Sequence, residues 1–204
     1  MSENKQLPVI AADISEGDII KAMKAIPGYI DITPGDFREI YHVAHTLAVQ
    51  RMLDSVTASG LMTSPVLSIE QTTQLAEAAR MLASNQITGA PVVDSEKKVV
   101  GVISEKNFLI EMGLGASPSF MQIATHCLHD KSCLVARLHG RTVRDIMTQP
   151  AITGDKQMTI GEISAIFTRQ KINRIPIVDR DGTVVGIVTR TDLTHGFHIF
   201  SQGL

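Results

Sequence analysis

The chain has 204 residues, a formal net charge of −2 and 44% apolar residues, with aromatics at only 4% and no Trp. A chain of this length can bury a substantial core as one or two domains, and that core must be aliphatic. Near-neutral charge with interspersed signs excludes the basic stripe of a nucleic-acid binder, and no apolar run approaches the roughly 18–20 residues that span a bilayer.

The N-terminus, MSENKQLPVIAADISEGD, is polar and acidic and lacks an apolar signal core. Two Cys are too few for a disulfide framework. A cytoplasmic protein without membrane insertion is expected. Residues 1–57 read as a helical extension. EGDIIKAMKAI suggests a short helix with Ile19, Ile20, Met23 and Ile26 on one side. PGYIDITPGD is a turn-rich joint, after which Thr33 is placed to cap a helix that has Pro34 at its first position and Asp36 in its first turn. Phe37, Ile40, Tyr41, Ala44, Leu47 and Ala48 then form an apolar stripe over about four turns. This arm either packs on the rest of the chain or a dimer mate, or docks a regulated partner.

Residues 58–110 and 141–204 are two copies of one unit. Met62 aligns with Met147, Pro65 with Pro150, Pro91 with Pro176, Asp94 with Asp179 and Gly101 with Gly186, at a constant offset of 85 residues and without a gap. Two copies make a paired module, not a solenoid. Each unit reads β-α-β-β-α, which places the chain in the α/β (α+β) class. PVLSI and PAIT are strands opened by Pro. Thr73 and Thr159 precede helices whose apolar positions are Leu75, Ala78, Ala79 and Leu82 in one copy, and Ile160, Ile163, Ile166 and Phe167 in the other. APVVD and IPIVD are buried strands, SEKK and RDGT turns, and VVGVIS and VVGIVT the returning strands. The Asp-Gly of the second turn favours a type I′ hairpin. Final helices start at EKNFL and RTDL.

Residues 111–140 are an insertion. SPSFMQIATHCL looks helical and SCLVARLHG strand-like or extended. His126 and His129 share a helix face and, with Cys133, form a candidate zinc set. Cys127 and Cys133 offer a redox pair instead. The plainer alternative is that the Cys are small apolar residues and the His surface polar groups.

The ordered set LMT-P, PVVD or PIVD, and VVG-(I/V)-(S/T) with an acidic position three residues on, found twice in one register, resembles the CBS domain, which nearly always occurs in tandem. The resemblance implies two units packed pseudo-symmetrically, with two clefts that bind an adenine nucleotide such as AMP, ADP, ATP or S-adenosylmethionine. It also implies a homodimer. In one cleft Thr189 would donate to phosphate at a helix N-terminus, Asp192 would accept the ribose hydroxyls, and Arg174 and Arg190 would neutralise phosphate. The adenine would lie against strand backbone near Ala151, Ile152 and Arg174, Ile175 and Pro176, and Thr148 and Asn173 complete the nucleotide site. Thr189 and Asp192 acting only as a helix cap is the alternative.

The other cleft would use Ser104, Lys106, Val66, Thr88, Gly89, Ala90 and Pro91, but carries Asn107 where the second copy has Asp192. A neutral amide accepts less strongly from two hydroxyls, so this site is expected to be the weaker by roughly tenfold. No G-x-S-x-G, phosphate loop or H-E-x-x-H is present. The expectation is a regulatory sensor that needs no cofactor, is not an enzyme, and signals to an unknown regulated protein or through its own dimer. A ligand-free dimerisation or docking module and a metal or thiol sensor are the alternatives.

Overall fold

The computed structural model describes residues 14–27, 31–115, 119–129 and 134–201. The chain divides into two units, Met1–Leu53 and Asp54–Leu204.

In the first unit, helix α1 (Glu16–Ala25) begins at a reciprocal cap: Ser15 Oγ accepts the Asp18 N–H at 3.2 Å while Asp18 accepts the Ser15 N–H. Thr33 caps α2 (Pro34–Ser55) in the same way, accepting the Asp36 N–H at 3.2 Å. The two hydrogen bonds from Thr33 hold the exposed Asp36 carboxyl below the usual carboxylate range. Both helices start where the sequence places them, but the expected stripe is not covered. No described residue of α2 is buried, and Ile40, Val43 and Leu47 stand exposed.

The second unit holds the two repeats. The first runs α3 (Ala58–Leu61), β1 (Ile69–Glu70), α4 (Leu75–Ser84), β2 (Gly89–Val93), β3 (Val99–Ser104) and α5 (Glu105–Leu109). The second runs α7 (Ile160–Gln170), β4 (Arg174–Val178), β5 (Val184–Thr189) and α8 (Arg190–Ser201). Strands order β1-β2-β3, with β1 parallel to β2, and β4-β5 form an antiparallel hairpin. The fold is of the α+β class.

Several expectations are corrected. PVLSI yields only the two-residue β1, and PAIT forms no strand, with Gly154 alone bridging to Ile177. The reason is that these segments cross between sheets: Ser64 Oγ donates to Val185 O at 2.9 Å, whereas Ile69 already pairs with Val92. Thr159 does cap α7 with Glu162. Thr73 does not cap α4. Gln74 precedes that helix, and backbone from the second repeat meets it, with Leu75 N–H donating to Arg141 O and Val143 N–H to Thr73 O. Ala79 is exposed rather than on the buried stripe of Leu75, Ala78 and Leu82. The RDGT turn is not type I′, which would need two consecutive positive φ values. Only Gly182 has one there (φ 83°), matched by Lys97 (φ 65°) in the first repeat, and a bulge follows in each hairpin.

In the insertion, α6 (Phe120–His129) is the expected helix, with Ser117 and Pro118 outside the described residues. The expected extended segment is instead a 3₁₀ turn over Leu134–Leu138.

Entry segments change places between the repeats. Thr148 pairs with Val102 on β3 in both directions, at 2.9 and 3.0 Å, while Thr63 pairs with Ile187 on β5 at 2.9 and 3.2 Å. Val143 and Met147 are buried in the core of the first repeat, among Ile69, Leu75, Leu82, Val92 and Ile103. A Cβ on Gly101 would lie 2.7 Å from Met147 Sδ, and one on Gly186 2.5 Å from Met62 Sδ. Each glycine therefore leaves room for the methionine of the other repeat. Truncating the buried Met147 removes this plug, so Met147→Ala is expected to lower stability by about 2–5 kcal/mol in urea denaturation.

Candidate functional site

Each repeat ends in a strand that runs directly into a helix, and the side chains named by the motif sit at that junction. At the β5–α8 junction, Asp192 Oδ2 accepts from Thr189 N–H at 2.7 Å and from Thr189 Oγ1 at 2.6 Å. Both residues are half-buried. Among the described residues, Asp192 Oδ1 accepts no hydrogen bond. The capping alternative thus describes one oxygen of this carboxylate and leaves the other available to a hydroxyl.

At the β3–α5 junction the same cap exists with an amide. Asn107 Oδ1 accepts from Ser104 N–H at 2.9 Å and Ser104 Oγ at 2.7 Å. Its second atom is engaged, since Nδ2 donates to Ile146 O at 3.0 Å and Thr148 Oγ1 at 3.1 Å. A carboxylate here would set an oxygen against the Ile146 carbonyl. The Asn107 amide therefore ties α5 to the entry segment of the second repeat, a role for which Asp192 has no counterpart among the described residues.

The exchange of entry segments regroups the predicted residues. Thr148, expected beside Thr189, lies on Asn107, and Thr63 takes the equivalent edge beside Ile187 and the β5–α8 junction. Arg174 pairs with Thr189 on the β4–β5 ladder, but its side chain reaches toward the other junction. Its Nη2 donates to Thr88 Oγ1 at 2.7 Å, and its guanidinium fills the space that a Cβ on Gly89 would need. Thr88 O in turn accepts the Glu105 N–H at 3.0 Å, which places the Arg174 guanidinium at the Ser104–Asn107 junction. Burial pushes the guanidinium below the usual arginine range, and the nearby Glu105 charge opposes this.

The remaining predicted residues frame the two junctions. Asn173 O accepts the Arg190 N–H at 3.0 Å. Arg190 and Lys106 are exposed, and Ile175, Pro176, Gly89, Ala90 and Pro91 are buried along β4 and β2. Val66 is half-buried between Ser64 and β1, while Ala151 and Ile152 lie between Thr148 and the Gly154 bridge. Sequence reasoning missed Thr63 and the Ile146 carbonyl, because only the exchange brings them to these junctions. His126 and His129 both lie on α6, and no cluster of three metal ligands forms among the described residues. Cys133 and the Cys127 side chain lie outside those residues.

These features define a tandem α+β repeat whose halves exchange their entry segments, and comparison with known proteins identifies it. The CBS domain family model matches residues 58–113 and 143–198, so the chain belongs to the CBS-domain family as a tandem pair. It is 30% identical to an uncharacterised protein of Methanocaldococcus jannaschii over 65% of this chain and 86% of that protein. It is also 30% identical to the chloroplastic CBS domain-containing protein CBSX1 of Arabidopsis thaliana, over 60% of this chain but 55% of that protein. Inosine-5'-monophosphate dehydrogenase of Aquifex aeolicus matches at 27% identity over 66% of this chain, which is 23% of the enzyme.

Among solved structures, the CBS domain of a membrane protein from Sphaerobacter thermophilus superposes with TM-score 0.59 and 31% identity, covering 76% of this chain and 96% of that one. CBSX2 in complex with AMP superposes with TM-score 0.57 at 23% identity, covering 71% and 98%. The CBS pair of MJ0100 in complex with 5-methylthioadenosine and S-adenosyl-L-methionine superposes with TM-score 0.52 at 24% identity, covering 70% and 96%. No helix among the described residues is long and apolar enough to cross a membrane.

Because the Asn107 amide makes two donor bonds that Asp192 does not, the two positions should respond unequally to exchange. Asn107→Asp is expected to lower stability by about 1–3 kcal/mol in urea denaturation, and Asp192→Asn by about 1 kcal/mol or less.

Proposed function

We propose that this chain is a regulatory sensor that binds an adenine nucleotide at the Thr189–Asp192 junction. It has no catalytic role, acts in the cytoplasm, and signals to a partner protein or through its own homodimer by a ligand-driven shift between conformations. The observation that carries the reading is the divided role of the Asp192 carboxylate. Oδ2 is held by Thr189, which fixes the side chain, and Oδ1 accepts nothing among the described residues. A fixed carboxylate with one free oxygen is suited to the vicinal hydroxyls of a ribose. Thr189 and the N-terminus of the twelve-residue α8 favour a phosphate alongside. Solved CBS pairs of the same fold hold AMP, or 5-methylthioadenosine and S-adenosyl-L-methionine, which supports an adenosyl ligand here.

Ala151, Ile152, Asn173, Ile175 and Pro176, with Val66 and Thr63, are the residues from which the adenine pocket would be drawn. The exposed Ile40, Val43 and Leu47 of α2 favour a second reading, in which the arm docks a partner. This is compatible with sensing.

Isothermal titration of the full chain against AMP, ADP, ATP and S-adenosylmethionine tests the reading. At least one should bind, and Asp192→Ala should weaken it about tenfold or more, as expected for loss of a charge-assisted hydrogen bond. No heat with any of the four, or unchanged affinity in the variant, would overturn it.

A further inference from the structure

Helix α2 is apolar on two sides, and only one of them is partly covered. Phe37, Tyr41, Ala48 and Met52 on one side are half-buried. On the other side Ile40, Val43 and Leu47 stand 58%, 55% and 65% exposed, with the small Ala44 beside them. Their i, i+3, i+7 spacing is that of a helix packing stripe. Water against adjacent aliphatic side chains is unfavourable, and a facing apolar helix removes it.

The exposed face ends in opposite charges. Asp36 precedes Ile40 by one turn, and Arg51 follows Leu47 by one turn. Both are exposed. Arg51 makes no ion pair among the described residues. Asp36 accepts from Thr33 through Oδ2 alone, which leaves Oδ1 open on that side of the helix end.

The pattern is centred between Val43 and Ala44. Turning the helix end for end about that centre exchanges Ile40 with Leu47 and Asp36 with Arg51. The face is therefore complementary to its own reverse. A two-fold axis at the centre sets Ile40 against Leu47 of a second copy and Asp36 against Arg51, each twice by symmetry. Parallel pairing would set Asp36 against Asp36 and Arg51 against Arg51. A shallow hollow of about 280 Å³ also opens between His42, Val43, Thr46 and Leu47, at the flank of this face. These four are at i, i+1, i+4 and i+5, the corners of a hole that a side chain from a facing helix fills.

We infer that α2 is a self-association helix that pairs antiparallel with α2 of a second copy of this chain. Ile40, Val43, Ala44 and Leu47 form the contact, and Asp36 and Arg51 close both ends. All six residues lie in the first unit, so the contact stands apart from nucleotide binding and makes a second copy the occupant of the arm. Asp36 and Arg51 are about 22 Å apart along the helix. An interface of that length is small, and the assembly depends on concentration.

Sedimentation equilibrium of the full-length protein over a concentration series, without nucleotide, tests the pairing. The mass should rise with concentration, and Leu47→Glu should halve the mass reached at the highest concentration. Arg51→Glu, which sets acid against acid, should weaken association about threefold or more, and Arg51→Lys should leave it within twofold. Thermal melts confirm that each variant is folded. Cross-linking under mild oxidant reads the direction, with Cys127 and Cys133 replaced by Ser. Ala44→Cys chains should link to one another, and Ile40→Cys chains should link to Leu47→Cys chains. If Leu47→Glu melts early, the cross-links decide the matter by themselves. A mass unchanged by Leu47→Glu, as expected if another protein or the rest of this chain covers the face, would overturn the pairing. So would Leu47→Cys chains that link to one another more readily than to Ile40→Cys chains. Nucleotide affinity enters neither readout, so the sensor reading stands or falls separately.

Discussion

The exchange of entry segments between the repeats is the constraint on which the rest of this structure depends. Each repeat alone presents a short sheet with an unpaired edge and a glycine hollow on one strand. The segment that should open the second repeat instead closes the first, through Thr148 on Val102 and Met147 over Gly101. The opening segment of the first repeat closes the second through Thr63 on Ile187 and Met62 over Gly186. Neither half can bury its apolar face without the other, which gives a physical reason for the duplication. Sheet edges left open are liable to pair with other chains, and the exchange covers them.

The same exchange builds the clefts from both repeats and makes them unequal. A strand-to-helix junction from one repeat always faces backbone from the other, so a change at either of two positions alters one cleft. Asn107 uses its amide to hold the joint, bonding Ile146 and Thr148. Among the described residues Asp192 makes no such bond, and its Oδ1 accepts none. One copy thus spends its side chain on cohesion between the repeats, and the other does not. The side chain that distinguishes them differs only by an amide nitrogen in place of a carboxylate oxygen.

Much of this was legible in the sequence. The gapless repeat, the order of elements, the junction residues and the caps at Thr33 and Thr159 all follow from local patterns that the backbone obeys. The family resemblance also held, because its motifs are ordered and occur twice. What could not be read was anything set by contact across the repeats. Thr73 was expected to cap α4, but backbone from residues 141–143 meets that helix instead. Thr148 and Arg174 are both grouped with Thr189 in the sequence reading; the exchange carries Thr148 to Asn107, whereas Arg174 does pair with Thr189 and only its guanidinium reaches across to Thr88. The RDGT turn was misjudged for a local reason, since a three-residue loop with a bulge uses the same Asp-Gly pair in a different register. The extended reading failed over Leu134–Leu138 because a short apolar run does not by itself separate strand from helical turn.

A crystal structure of the chain grown with AMP tests the central claim most directly. The account predicts the ribose hydroxyls within hydrogen-bonding distance of Asp192 Oδ1, with the Asn107 amide still bonded to the Ile146 carbonyl. AMP bound with its ribose at Asn107, or bound away from both junctions, would contradict it.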